Sequence, residues 1–405
     1  MTNKFLCDFR FLLLAAAVAF IYIQVEAETR CTSQMRKLID QISMQQSRIV
    51  DLEEDKKRQD EEYGQMKALV QDLQLKGLQR RMNKIQTPVA AVVVMACNRA
   101  DYLERTIKSI LKYQNAVASK FPLFVSQDGS DPQVRKKALS YDQLTHMQHL
   151  DSKLVQTERP GELIAYYKIA HDMEIAPDFF DYFEAAAALM EKDKTIMAVS
   201  SWNDNGQKQF VHDPEILYRS DFFPGLGWML TKPTWNELSP KWPKAYWDDW
   251  LRLQENHKGR QFIRPEVCRT YNFGEHGSSL GQFFRQYLEP IKLNDVQVDW
   301  KSKDLSYLME DKYIKLFAEI LKNAKPINGA DAVLKASNVQ GDVRVHYEDQ
   351  PDFERIARQF GVFQEWKDGV PRTAYKGVVV FRYPPPRRVF LVGPKSFELL
   401  GIKSV

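Results

Sequence analysis

The sequence predicts an α/β protein with a smaller α+β carboxyl-terminal part, set behind a membrane anchor and a helical stem. Three observations carry this. Residues 89–96 read VAAVVVMA, a continuous apolar run of strand length that leads into a polar turn and an amphipathic helix. Such runs suit a strand covered on both faces of a parallel sheet. Phe11 to Ile23 reads FLLLAAAVAFIYI, thirteen apolar residues behind Lys4 and Arg10. Residues 30–80 are polar and helix-friendly, with no proline and glycine only at Gly64 and Gly77.

A chain of 405 residues suggests two or three units. Its 44% hydrophobic and 12% aromatic content is enough for substantial cores. A net charge of +4 is small for this length and argues against nucleic acid as a partner. The four cysteines, Cys7, Cys31, Cys97 and Cys268, fit neither metal-ligand spacing nor a disulfide framework.

The elements follow in order. Residues 1–10 form a short basic tail and 11–27 the anchor. The apolar run is short against the roughly 20 residues of a usual membrane helix, and thinner membranes of the early secretory route tolerate shorter spans. A signal peptide cleaved after Val25-Glu26-Ala27 is the alternative. The basic amino-terminal side would stay cytoplasmic, leaving the rest lumenal. Residues 28–86 form the stem. Met35, Ile42, Ile49, Tyr63 and Val70 make one heptad row, and Leu38, Leu52, Met66 and Leu73 the other. Gln45, Lys56 and Gln59 interrupt the rows, so the stem is a coiled coil pairing two copies or a single solvated helix.

Residues 87–290 make the larger α/β part. After the first strand, Leu103, Ile107, Ile110 and Leu111 share one helical face. There is no GxGxxG, which argues against a dinucleotide fold. Arg99 at the strand end suits a phosphate, through its two-pronged fork, or pairs with Asp101. Asp128 ends a second strand, PLFVSQD, where it reads a base or ribose or caps the helix beginning near Pro132. Asp172 and Glu174 precede Pro177, as a metal-facing cluster or a solvated helix entrance. Glu162 to Ala170 reads as a short helical stretch. Ile196 to Ser200 is another strand, and Phe222 to Leu230 holds glycines that permit close backbone approach. Residues 242–252, WPKAYWDDWLR, form the densest aromatic-acidic stretch, where Asp248 and Asp249 serve as base or as helix caps. Residues 291–405 form the carboxyl-terminal part, with a helix near 313–321 and strands at 377–381 and 388–392 joined by Pro384-Pro385-Pro386.

Val94-Met95-Ala96-Cys97-Asn98-Arg99, Ser126-Gln127-Asp128-Gly129 and Ala165-Tyr166-Tyr167-Lys168-Ile169-Ala170 together carry a resemblance. So do the runs 172–180, 201–206 and 224–228, Tyr246-Trp247-Asp248-Asp249-Trp250-Leu251-Arg252, and Phe273-Gly274-Glu275-His276-Gly277-Ser278-Ser279. Over its whole length the chain resembles the N-acetylglucosaminyltransferase I family, in a plant-type version.

The resemblance implies a nucleotide-sugar-binding, glycosyltransferase A-type (Rossmann-like) domain and a Golgi membrane protein of type II topology, catalytic part lumenal. It further implies a manganese (Mn2+)-dependent inverting transfer from UDP-N-acetylglucosamine to the α1,3-arm mannose of the five-mannose N-glycan. Asp172 would be the metal ligand and Asp248 the base. Arg99 would face the diphosphate, Asp128 the uracil, and Leu226 and Trp247 the sugar. Arg252 would orient the constellation, and Gly277, Ser278 and Ser279 would close over the donor. Disulfides of animal-type members are not expected, because Gly129 and Phe262 stand where those have cysteine.

One departure stands out. In the family a helix after Tyr-Tyr-Lys-Ile-Ala leads to an apolar strand ending in Glu-Asp-Asp, whereas here Ala170 and His171 directly precede Asp172. A parallel crossover takes a dozen or more residues, so on the order of twenty are absent. Losing a central strand would leave its neighbours unpaired and the core hollow, which predicts a catalytically impaired, Golgi-anchored homologue as the alternative to a working transferase.

Overall fold

The computed structural model describes residues 89–149, 165–170, 172–243, 246–276, 281, 283–335 and 340–403, with scattered positions between residues 14 and 60. The chain divides into two units, residues 1–82 and 83–405. In the first, the described positions are helical, and Met35, Ile42, Ile49 and Leu52 are exposed. Among the described residues no helix is long and apolar enough to cross a membrane. Much of the expected anchor and stem, including residues 61–86, lies outside them.

The second unit opens with β1 (Ala90–Ala96), α1 (Ala100–Gln114), β2 (Leu123–Asp128), α2 (Pro132–Leu139) and β3 (Leu144–His149). β4 (Ala165–Ala170), β5 (Met173–Ile175), α3 (Phe179–Lys192), β6 (Ile196–Ser200), β7 (Leu217–Ser220) and β8 (Trp228–Thr231) follow. Then come α4 (Lys232–Leu238), α5 (Trp247–Arg252), β9 (Gln261–Pro265) and β10 (Thr270–Asn272). Eight of these strands form one mixed sheet in the order β3-β2-β1-β4-β8-β6-β9-β7. The first four run parallel, and β8 lies antiparallel to both β4 and β6.

β1 is apolar throughout because both its faces are covered. Ala90, Val92 and Val94 pack into the main core with Ile107, Phe179 and Phe183. Ala91 packs on the opposite face with Trp228, Trp235 and Phe262. This is the period-two alternation of a strand. α1 buries Leu103, Ile107 and Ile110, as its spacing predicts. α2 is capped by Asp131, whose carboxylate accepts from the Gln133 and Val134 amides, both at 2.9 Å. The capping reading of Asp128 is therefore overturned, and Asp128 is left to the end of β2.

Two further expectations are corrected. Residues 165–170 are not helical: they form β4, hydrogen-bonded between β1 and β8. Without a strand there, both neighbours would bury unpaired backbone groups, at about 1–3 kcal/mol each. Tyr166, Tyr167 and Ile169 are strand-favouring types, so the slot and the local preference agree. The central position is filled. Glu174 lies in β5 and not in a solvated helix entrance, since the helix begins only at Phe179.

Beyond residue 291 come α6 (Glu310–Asn323), β11 (Lys325–Pro326), β12 (Val343–His346), α7 (Gln350–Phe360), the hairpin β13 (Trp366–Lys367) and β14 (Val370–Pro371), β15 (Val378–Arg382) and β16 (Arg388–Val392). β11, β12, β16 and β15 form a second sheet in that order. Trp300, Phe317 and Phe390 pack into the same core as Val92 and Phe183, tying this part to the main sheet.

Candidate active site

Parallel pairing puts the carboxyl ends of β1, β2 and β4 side by side, with Met95 opposite both Ser126 and Ala170. Ligands of open α/β sheets bind outside such ends. Arg99, Asp128 and Asp172 lie at or just past these three ends, so the sheet itself gathers them. β8 runs the other way, and its first residue, Trp228, pairs with Lys168 and Ser200 near the same edge. That brings the loop carrying Leu226 alongside.

Asp172 is 8% exposed. Its carbonyl accepts from the Phe273 amide at 3.0 Å. β5, directly after it, pairs antiparallel with β10, Met173 opposite Asn272 and Ile175 opposite Thr270. The amides of Met173 and Ile175 also donate to Thr106 Oγ1 (3.1 Å) and Ser109 Oγ (2.9 Å) of α1. The carboxylate itself sits in a close cradle. Asn272 Nδ2 approaches Oδ1 at 3.4 Å, and Asn272 Oδ1 accepts from the Gly274 amide at 2.8 Å. A Cβ on Gly274 would stand 2.4 Å from Asp172 Oδ2, so only glycine leaves room. Arg99 Nη2 meets that same oxygen at 3.0 Å, and Nη1 donates to the His276 carbonyl. The guanidinium lies 4.5 Å over the Tyr102 ring. Arg99 thus pairs with Asp172 and not with Asp101. Glu174 is engaged by Arg105 at 2.7 Å.

Beneath the cradle, Asp178 and Arg269 form a fully buried ion pair at 3.1 Å. Asp178 also accepts from Asn294 Nδ2 and Trp300 Nε1, each at 2.8 Å. Arg269 Nη1 donates to the Val267 carbonyl at 2.7 Å. Arg269 directly precedes β10, and its carbonyl accepts from the Ala176 amide at 2.9 Å. The pair locks β5 and β10 together.

The second half of the site is built on α5. Arg252, 9% exposed, reaches Asp249 Oδ1 at 2.7 Å and Asp248 Oδ2 at 3.2 Å. It also donates twice to the Phe223 carbonyl, at 3.3 and 3.2 Å. Asp248 and Asp249 occupy the first helical turn, where the helix dipole favours negative charge. The Asp248 side chain is 41% exposed and open to a partner. Trp247 stacks against Trp228, centroids 5.5 Å apart, and against Trp242 at 6.3 Å. The Gly225 Cβ position lies 3.5 Å from Trp247 and 3.6 Å from Asp248, ordinary contact distances that bring this loop against α5. The Leu226 carbonyl accepts from Thr270 Oγ1 at 2.9 Å. β10 therefore touches both halves, through Thr270 on one side and Asn272 on the other.

Asp128 stands half-buried at the end of β2. Cys97 is exposed, yet packing around its sulfur and then the Asp128 charge push its thiol pKa up. Cys268 is buried, and burial pushes its thiol up to about 12. Gly277, Ser278 and Ser279 lie outside the described residues.

The sheet edge thus gathers Arg99, Asp128 and Asp172, and the loop before β8 meets Trp247 and Asp248 at Gly225 and Arg252 at the Phe223 carbonyl, while Leu226 packs against Trp202, Cys268 and Ile291. Sequence reasoning missed the roles of Asn272, Gly274 and Thr270. An Asn two residues before a Gly, after a short strand, was the available signal. Among the described residues there is no group of three or more His, Cys, Asp and Glu side chains able to hold a metal. Asp172 alone is a hard oxygen donor, which fits a divalent cation that takes its remaining ligands from substrate phosphates.

An arginine-flanked carboxylate and a second acidic pair outside the carboxyl ends of the strands stand where open α/β sheets bind their ligands. The model of the GNT-I family matches residues 4–172 and 170–404, and the chain belongs to that family. It is 66% identical, over 98% of its own length and 99% of the relative's, to the alpha-1,3-mannosyl-glycoprotein 2-beta-N-acetylglucosaminyltransferase of Arabidopsis thaliana. That match runs over 438 positions, while 98% of 405 residues is about 397, leaving roughly 40 positions of the relative without a counterpart here. The family match itself falls into two pieces that meet at residues 170–172. Among solved structures, a mannosyltransferase from Pyrobaculum calidifontis in complex with GDP-Man and Mn2+ shares 19% identity over 47% of this chain and 61% of that one, TM-score 0.31. S. aureus TarS in complex with UDP-GlcNAc shares 14% over 58% and 68%, TM-score 0.34. At these values the two structures carry no argument about this chain.

Proposed function

We propose that this chain transfers N-acetylglucosamine from UDP-N-acetylglucosamine, with inversion, in β1,2 linkage to the α1,3-arm mannose of the five-mannose N-glycan. Family membership and the full-length relative support N-acetylglucosaminyl transfer in N-glycan synthesis. The observation that carries the reading for this shortened chain is the Asp172 cradle. Its supports come from α1, β5, β10 and the turn after β10.

In the reaction, Asp248 takes the proton of the acceptor hydroxyl as that oxygen attacks the anomeric carbon. The bond from that carbon to the diphosphate breaks with its electrons, and UDP leaves. Arg252 aims Asp248 and balances its charge. Arg99, poised beside Asp172, turns part of its fork to the diphosphate. Asp128 receives the base, and Leu226 and Trp247 bound the sugar. Gly277, Ser278 and Ser279 complete the donor side. Mn2+, held by Asp172 and the donor's phosphates, would neutralise charge on the departing UDP. The same reading makes the chain a type II Golgi membrane protein whose stem pairs two copies.

The test is the full chain with UDP-N-acetylglucosamine, Mn2+ and a five-mannose acceptor, beside Asp248→Asn. Turnover that falls about 100- to 10,000-fold in the variant supports the reading. The impaired homologue is the second reading, and absence of turnover in the intact chain would decide for it.

A further inference from the structure

The residue just before the Asp248 helix is unusual in two independent ways. Tyr246 is 79% exposed, the most open large apolar side chain described between residues 89 and 403, and the one aromatic among those exposed there. Its backbone is left-handed, φ 53° and ψ 41°, a region that non-glycine residues rarely adopt. Such strain persists where the surroundings hold it, and it concentrates at ligand sites. Here the Tyr246 carbonyl accepts from the Trp250 amide at 3.0 Å, fixing the backbone while the ring stays out in solvent.

Trp242 and Trp247 cannot take this place. Trp247 is stacked between Trp228 and Trp242, and Trp242 is 9% exposed. An open aromatic face therefore stands two residues from the half-exposed carboxylate proposed as base. We infer that Tyr246 is a binding platform for the acceptor sugar. The C–H groups on one face of a pyranose meet the negative face of the phenol ring, as aromatic edges meet aromatic faces. The inference rests on the acceptor reading above.

The experiment measures binding of the five-mannose N-glycan to the full chain by saturation-transfer NMR, alongside KM for acceptor and for donor. Tyr246→Ala should weaken acceptor binding and raise acceptor KM about three- to tenfold, with donor KM unchanged. Tyr246→Phe and Tyr246→Trp should keep wild-type binding. Tyr246→Gly, which suits the left-handed backbone, should bind acceptor as poorly as Tyr246→Ala while melting no lower than wild type. Wild-type acceptor binding in Tyr246→Ala, or equal loss in Tyr246→Phe, would overturn the inference. If the intact chain binds glycan through Tyr246 but does not turn over, the transferase reading fails and this one stands. Turnover with no effect of Tyr246→Ala would overturn this inference and leave the transferase reading standing.

Discussion

The two flanks of Asp172 are built by different means. Downstream, β5, α3 and β10 are tied to one another by antiparallel pairing and the fully buried Asp178–Arg269 pair, and β5 is tied back to α1 by side-chain acceptors. Upstream, β4 occupies the slot between β1 and β8 through backbone pairing, at the place where the family match breaks. The contrast teaches that a buried carboxylate need not be aimed by the strand that delivers it. Here β5 and β10, both carboxyl-terminal to Asp172, supply the aim.

That contrast can be broken from either side. The largest effect is expected from Asp178→Ala, which leaves Arg269 buried without its partner, at a cost of about 3–5 kcal/mol. Thermal or denaturant unfolding checks it, and a loss below about 1 kcal/mol would mean that the downstream flank does not depend on this pair. Next comes Ile169→Pro in β4. A proline in a central strand removes a ladder hydrogen bond and should cost about 3 kcal/mol. Unchanged stability would show that β4 is not paired on both sides. The smallest is Gly274→Ala, whose methyl meets the Asp172 carboxylate and should cost about 1–3 kcal/mol. Its more telling readout is calorimetric binding of UDP-N-acetylglucosamine with Mn2+, which should weaken while the fold persists. Donor affinity equal to wild type would show that the carboxylate is not confined there.

Much of this was legible beforehand, for physical reasons. VAAVVVMA could be read because both faces of β1 are covered, so burial wrote itself into every position. Arg99, Asp128 and Asp248 entered as candidate site residues through the family resemblance, since charge at a strand or helix end by itself left pairing and capping open. The stretch 165–170 was misread because a six-residue strand with no polar alternation looks no different from one face of a short helix. What decides it is the vacancy between β1 and β8, which is a property of the assembled sheet. Asn272 and Gly274 were hidden for a similar reason. Their partner, Asp172, lies about a hundred residues away in sequence, and their contact exists only once β10 lies against β5.

β10 has a metric consequence. Thr270 and Asn272 are two residues apart on one extended strand, so they face the same way and stand about 6.5–7 Å apart. One holds the Leu226 carbonyl and the other holds Asp172. A three-residue stretch of backbone thus works as a gauge block between the Leu226 loop and the Asp172 cradle. Backbone dimensions are stiff, so lengthening or trimming the chain ahead of Asp172 leaves that spacing as it was.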